Sequence, residues 1–307
     1  MDQPLVSVIM GVYNQMDDDM LKDAVNSILN QTYTNLEFLI WDDGSCQDAA
    51  LRVKKLEHLD ERIHVMCCDT NNGLAYSLNE CILRAKGKYI ARMDADDYSV
   101  NTRIEKQVAF LESHPEYTWC GTNAELFDEN GIWGRRPYPA EPTLKDYYKF
   151  SPFVHPSVVF RAEIFDEDRG YLATEETLRC EDYEIFMHLM QRGLKGYNIQ
   201  EYLFRYRETR ESYRKRKVKY RINEAKTRYS LYKDMGILFP LGWIFVLRPI
   251  VACLVPASLL ALIKRSEGII NKEYDEKTTE SLQINIESKP VSFPGLSAMS
   301  ETFRKSS

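Results

Sequence analysis

Four short runs of apolar, β-branched and aromatic residues, Leu5–Val12, Leu36–Trp41, Ile63–Cys67 and Tyr89–Met93, begin 26 to 31 residues apart in the first hundred residues of the chain. Runs of this length, apolar on both faces, predict strands covered on both sides of a sheet. Between them apolar residues recur at helical spacing: Ala24, Val25, Ile28 and Leu29 share one face, as do Leu74, Leu78, Ile82 and Ala85. Strand and helix in strict alternation predict an α/β fold with a parallel sheet, because each return to a parallel neighbour needs a crossover. Ligands of such sheets bind beyond the carboxyl ends of the strands. Polar groups collect there: Tyr13-Asn14 after the first strand, Asp42-Asp43-Gly44-Ser45 after the second, Asp69 to Gly73 after the third, and Asp94-Ala95-Asp96-Asp97 after the fourth.

After a helix predicted over Arg103–Ser113, the alternation breaks into an irregular stretch through Pro156, of the kind that builds an acceptor pocket. Val158–Phe160 reads as a further strand, and Asp182–Arg192 as a helix closed by Gly193 at the left-handed C′ position. Three regions are expected: a catalytic domain over 1–216, a basic and apolar helical region over 217–265, and a polar, disordered tail over 266–307. A chain of 307 residues, 44% hydrophobic and 28% charged, is long enough for one large domain with an appendage. Its formal charge of −6 argues against nucleic acid as a partner. Seven cysteines without a C-x-x-C pair exclude a dense disulfide framework and a thiolate zinc site, and fit a reducing cytosol. Met1-Asp2-Gln3-Pro4 runs straight into a strand, with no export signal visible.

Asp94, Asp96 and Asp97 sit within four residues at a buried strand's end, where like charges raise one another's pKa unless a cation intervenes. Oxygen-only ligands favour Mg²⁺ or Mn²⁺, and Mg²⁺ is held by one or two carboxylates while substrate phosphates and water complete its shell. The bland alternative is an acidic loop capping the helix that starts near Thr102.

Val6-Ser7-Val8-Ile9-Met10-Gly11-Val12-Tyr13-Asn14, Leu36-Glu37-Phe38-Leu39-Ile40-Trp41-Asp42-Asp43-Gly44-Ser45, Asn72-Gly73-Leu74 and Ala85-Lys86-Gly87-Lys88-Tyr89-Ile90-Ala91-Arg92-Met93-Asp94-Ala95-Asp96-Asp97, in that order, closely resemble glycosyltransferase family 2, of the bacterial polysaccharide and glycolipid assembly type. The resemblance extends to about Arg216 and implies a GT-A fold: a Rossmann-like, mostly parallel sheet flanked by helices, followed here by a C-terminal helical, membrane-associating appendage. It implies a nucleotide-diphosphate sugar donor, a UDP-sugar, and an inverting, metal-dependent transfer to a hydroxyl. By resemblance Asp43 accepts the uracil N3 proton beside Asp42. Val12 and Tyr13 line the base with Arg92 nearby, and Asn72 and Gly73 join the donor-binding set. Asp94 is the first member of the D-x-D pattern, while Asp96 and Asp97 reach the ribose and the metal. A ligand-free Asp-Asp-Gly-Ser turn and ordinary strand-end packing are the competing readings at Asp42, Asp43, Val12 and Tyr13.

Inverting transfer needs a carboxylate to take the proton of the attacking hydroxyl. Glu181-Asp182 resembles the family's Glu-Asp pair, whose Asp is the base, so Asp182 is the expected base and Glu181 its acceptor-side neighbour. At the first turn of a helix the macrodipole favours the ionised form, though acids cap helices there regardless of function. His155, in Phe153-Val154-His155-Pro156-Ser157, resembles a family segment near the acceptor; a structural histidine is the alternative. Tyr206-Arg207 resembles the family's turn after the catalytic helix. Thr209 stands where many members carry a His, and Asn101 replaces a frequent Pro.

From Arg205 to Lys233 basic residues dominate, and Arg248 then divides uncharged runs of 11 residues (237–247) and 15 (249–263), both short of the roughly 20 needed to span a bilayer. The expected arrangement is peripheral attachment to an anionic membrane on the inner face of the cell membrane, with about 1 kcal/mol per nearby cation. A hairpin packed on protein, or on a second subunit in a homo-oligomer, and a spanning helix are the alternatives. The acceptor is expected to be a glycan or lipid-linked. A nucleotidyltransferase would need a Gly-rich, basic phosphate loop that Gly11-Val12-Tyr13-Asn14 lacks. A receiver domain would carry its acidic pair after the first strand. A nucleotide-sugar-binding protein without turnover would release no free nucleotide.

Overall fold

The four predicted strands are β1 (Val6–Val12), β2 (Leu36–Asp43), β3 (Ile63–Cys68) and β4 (Tyr89–Arg92), and they form a parallel array in the order β3-β2-β1-β4. Every residue of β2 and β4 is buried, which is why both read as unbroken apolar runs. Val6 pairs with Leu36 on one side and Tyr89 on the other. The chain therefore moves outward from β1 to β3 and returns to the far side of β1 as β4, opening a crevice at the carboxyl ends where the order reverses. Helices α1 (Asp18–Leu29), α2 (Gln47–Lys54), α3 (Leu74–Ile82) and α4 (Arg103–Ser113) follow successive strands, with β5 (Tyr98–Ser99) before α4. The computed structural model describes residues 3–166, 170–209, 218–256, 259, 262–273 and 275.

The stretch expected to be irregular holds a ten-residue strand, β6 (Trp119–Asp128), its hairpin partner β7 (Gly131–Arg136) and α5 (Leu144–Lys149). Thr122 and Asn123 interrupt the apolar pattern of β6, yet both are buried; Asn123 Oδ1 accepts the Tyr138 N–H at 2.8 Å. After β8 (Val159–Arg161), α6 (Glu163–Asp166) and α7 (Glu181–Gln191) comes β9 (Gly196–Arg207), parallel to β6. Among the described residues the sheet runs β3-β2-β1-β4-β8-β6-β9-β5, with β7 on β6. It is parallel through its first half and mixed beyond β4, where β8 pairs antiparallel to both β4 and β6.

Alternate residues of β1 feed two cores. Val6, Val8 and Met10 pack with α1, and Ile9 packs with Leu39, Trp41 and Leu78. In the second core Trp119 stacks on Phe186 at 5.9 Å between centroids and meets Phe153 edge-on at 5.6 Å. Helix α8 (Val218–Asp234), drawn from the basic run, packs on α7. Arg228 is buried there, 4.2 Å over the Tyr183 ring and ion-paired with Glu224, so this cation serves packing and not a solvated face. A short turn at 238–242 leads to α9 (Trp243–Val251). Residues 262–273 are helical and lie along β7, with Arg265 bonded to Asp128 at 3.0 Å. The basic residues within 210–217 and residues 276–307 of the expected tail lie outside the described residues, whereas 266–273, expected to be disordered, are helical. Among those described, no helix is long and apolar enough to cross a membrane. Replacing Trp119 by Ala is expected to cost about 3 to 5 kcal/mol by emptying the second core, read as a lower urea midpoint with an unchanged slope.

Candidate active site

The loops after β1, β2 and β3 are tied into one wall. Asn14 N–H donates to Ser45 Oγ at 2.8 Å, and Cys46 N–H returns to Asn14 Oδ1 at 2.8 Å. Gly44 turns with φ +70, and a Cβ there would meet the Thr70 carbonyl carbon at 2.5 Å, so only glycine lets the second loop pass the third. The buried Asp43 carboxylate accepts the N–H groups of Asn72 (2.9 Å) and Gly73 (2.7 Å) and the Asn71 amide (2.9 Å). It clamps the 71–73 loop at the start of α3, which occupies the lone pairs expected to face a base. Asp42 pairs in register with Val12 and accepts Ser45 N–H at 3.2 Å. Val12 is buried and Tyr13 is 52% exposed at the rim, while the Asn72 amide donates to Thr70 O.

Asp94, Asp96 and Asp97 offer oxygens that all lie within 4.8 Å of one another, the one such group among the described residues. Asp97 is buried; one oxygen accepts Arg207 N–H at 2.8 Å and the other has no hydrogen-bond partner. A buried anionic oxygen left without a donor is costly unless a cation meets it, so the set fits a hard divalent ion. Burial, reinforced by Asp96 and Asp94, pushes the Asp97 carboxyl well up. Asp96 keeps an edge open to solvent, yet desolvation and then Asp94 raise it to about 6.

Arg92 is 1% exposed, beneath the cluster, and forms an ion pair with Asp94. Its charge also acts on Asp96, Asp97, Glu181 and Asp182, which places α7's first turn beside the acidic loop. Burial raises Asp182 above the aspartate range, and burial with Asp182 raises Glu181 to about 7. Desolvation thus outweighs the helix dipole at this turn and makes both carboxylates stronger bases. His155 is buried, bonded through Nε2 to Tyr171 OH at 2.7 Å, and held neutral by burial and Arg92.

Three contributors escaped the sequence reading. Arg207, noted as part of a turn, ends β9 and closes over the acidic loop, its Nε donating to Asp96 O at 2.7 Å. Arg103 is fully buried, lowered to about 9 by that burial, and bonds Arg92 O, Ser157 O and Ser99 Oγ. Tyr171 is clamped by reciprocal 2.8 Å bonds with Asn79. Each is brought in by strand pairing or packing across long stretches of chain, so no local spacing marks it.

The family model "Glycosyl transferase family 2" matches residues 7–169. A putative glycosyltransferase, EpsE, of Bacillus subtilis (strain 168) is 36% identical over 279 residues, covering 88% of this chain and 99% of that one. A mannosyltransferase from Pyrobaculum calidifontis, solved with GDP-Man and Mn²⁺, superposes with a TM-score of 0.57 at 14% identity over 91% of this chain and 84% of that one. S. aureus TarS 1–349, solved with UDP-GlcNAc, gives 0.57 at 16% identity over 74% of this chain and 66% of that one, just under two thirds of its length. At these identities the two structures establish the GT-A fold alone.

The raised Asp96 and Asp97 carboxyls hold protons in the folded chain where the unfolded chain has lost them. Cation-free stability is therefore expected to fall as pH rises from the ordinary 3.8 through about 6 and beyond. Mn²⁺ at ten times its Kd should restore about 1.4 kcal/mol at pH 7.5, a Tm rise of about 3 to 5 °C, and should do little at pH 5. Scanning calorimetry of wild type and Asp97→Asn checks this; an equal rise in the variant refutes the assignment.

Proposed function

The chain belongs to glycosyltransferase family 2 and is a glycosyl-transferring enzyme, and from that premise we propose that it moves a sugar from a UDP-sugar to a hydroxyl of a cell-surface glycan or glycolipid precursor, with inversion. The observation that carries this reading is the partnerless buried oxygen of Asp97 inside a three-carboxylate loop. Mg²⁺ or Mn²⁺ held by Asp96 and Asp97 would neutralise charge on the departing diphosphate. The metal-bound and UDP-GlcNAc-bound fold relatives support that choice of ligands.

In this reading Asp182 takes the proton of the acceptor hydroxyl, its raised basicity matching the task. Glu181 sets the local charge beside it. On the donor side, Tyr13 offers an exposed ring to the base, and Asp42, with one loop N–H to accept, is better placed than Asp43 to take the base's N3 proton. Asp43 holds Asn72 and Gly73 in position. Arg92 holds Asp94 in an ion pair, and His155 is fixed by its bond to Tyr171. Membership in the family decides against the nucleotidyltransferase, receiver and non-catalytic readings.

We further propose attachment to the inner face of the cell membrane through α9. Ile244 (63% exposed) and Val251 (57%) lie on that helix, and Phe239 (76%) precedes it, leaving apolar side chains open to solvent. A homo-oligomer covering the same face is the competing arrangement.

With Mn²⁺ and a panel of UDP-, GDP- and dTDP-sugars, wild type should release nucleoside diphosphate. Asp97→Asn should abolish donor-dependent release, and Asp182→Asn should cut transfer by about 10² to 10⁴ with donor affinity kept. Donor turnover indifferent to both metal and Asp97 overturns the reading. Separately, Ile244→Lys with Val251→Lys should abolish flotation with phosphatidylglycerol vesicles; flotation equal to wild type, or a wild type that never floats, overturns the membrane assignment.

A further inference from the structure

The end of β9 forms a roof over the acidic loop. Arg207 donates its backbone N–H to one oxygen of Asp97 at 2.8 Å and its Nε to the Asp96 carbonyl at 2.7 Å. The other Asp97 oxygen has no partner, and its direction is set by how the first is held. What holds Arg207 lies on the next residue. Glu208 is 5% exposed, donates its backbone N–H to Phe127 O at 3.0 Å, and forms an ion pair with Arg136 at 2.7 Å. Among the described residues Arg136 is the one cation paired with it.

Arg136 reaches this position across a strand. It ends β7, on one edge of β6, whereas Arg207 ends β9, on the other. Ala124 stands in register with both Arg136 and Phe204, so by the two-residue period Arg136, Tyr206 and Glu208 share one face of the sheet. On that face the guanidinium lies 6.0 Å from the Tyr206 ring centroid and bonds the Tyr138 side chain. Tyr138 is itself fixed. Its N–H donates to Asn123 Oδ1 at 2.8 Å, its carbonyl accepts Gln200 Nε2 at 3.2 Å, and its ring meets Phe150 edge-on at 6.2 Å. A guanidinium held by Tyr138, Tyr206 and Glu208 together, and not a mobile surface cation, therefore decides where Glu208 lies.

We propose that Arg136 is a positioning residue for the metal loop: through Glu208 it holds the Arg207 N–H against Asp97, and so presents the free oxygen of Asp97 to a divalent cation. This rests on Asp97 as a metal ligand. Without the guanidinium a buried carboxylate loses its counter-charge, which is costly enough to turn Glu208 toward water. That turn draws the neighbouring Arg207 N–H off Asp97. Hydrogen-bond partners of metal ligands tune metal affinity by about 10- to 100-fold, so the effect is read on the metal.

Mn²⁺ is titrated calorimetrically into the full chain without donor. Arg136→Gln should weaken its binding about tenfold, and Arg136→Gln combined with Glu208→Gln, which strands no buried charge, should recover most of it. Arg136→Lys, the gentler change, should fall between wild type and Arg136→Gln. In transfer assays Arg136→Gln should be slow at limiting Mn²⁺ and approach the wild-type rate at saturating Mn²⁺, a pattern that a general loosening of the fold does not produce. Mn²⁺ affinity unchanged in all three variants, or a transfer deficit that saturating Mn²⁺ does not lift, overturns the proposal. Asp97→Asn separates the two readings. Mn²⁺ binding lost there but kept in Arg136→Gln refutes the positioning role alone, whereas binding kept in both, or a wild type that binds no Mn²⁺, refutes the metal loop as well.

Discussion

One buried guanidinium organises the chemistry of this protein. Arg92 closes β4 with its side chain almost wholly out of water, and an uncompensated charge there would be prohibitively costly. Asp94 pairs with it directly, and Asp96, Asp97, Glu181 and Asp182 all lie within reach of its field. The same cation thus joins the loop after β4 to the first turn of α7, two segments far apart in the chain. Five carboxylates gather around Arg92, Arg103 and Arg207, and their excess over the cations is what a divalent ion would answer.

Around this centre the polar groups are satisfied in layers. Arg103 bonds the carbonyls of Arg92 and Ser157 from below, and Arg207 caps the acidic loop from β9. His155 and Tyr171 form a neutral pair against the guanidinium. One oxygen of Asp97 has no hydrogen-bond partner, and neither has Arg92 Nε; a buried anionic oxygen so placed in the acidic loop reads as a site for something the chain itself does not supply. The base wall follows the same logic: Asp43 spends its lone pairs on the 71–73 loop, so the pocket is shaped before any ligand arrives.

Much of the first half of the molecule was legible because its signals are local. Runs such as Val6–Val12 and Tyr89–Arg92 are covered on both faces, and each ends where its apolar character ends. The acidic loop, Asp42, Asp43 and the Glu181-Asp182 pair follow from the same alternation and from family resemblance. The second half was illegible for a physical reason. In β6, Thr122 and Asn123 are buried polar residues, the Thr122 hydroxyl donating to Asn123 O and Asn123 Oδ1 accepting Tyr138 N–H, and in β9 charged residues alternate along a half-exposed strand. Neither pattern resembles an apolar strand until its neighbours are present. Within the basic run, Arg228 is drawn into the α7–α8 interface by Tyr183 and Glu224, which a local excess of charge does not reveal.

By itself the sequence determined the parallel half-sheet, the crevice at its carboxyl edge and the identity of the acids gathered there, because strand burial and loop chemistry are properties of consecutive residues. Only the tertiary structure decided which of those acids stay free. It turned Asp43 inward to hold a loop, sank Arg92 beneath the cluster, and raised Asp182 and Glu181 against the pull of their helix dipole. Hydrogen-bond saturation and desolvation depend on what packs from distant parts of the chain, and no spacing along the sequence encodes them.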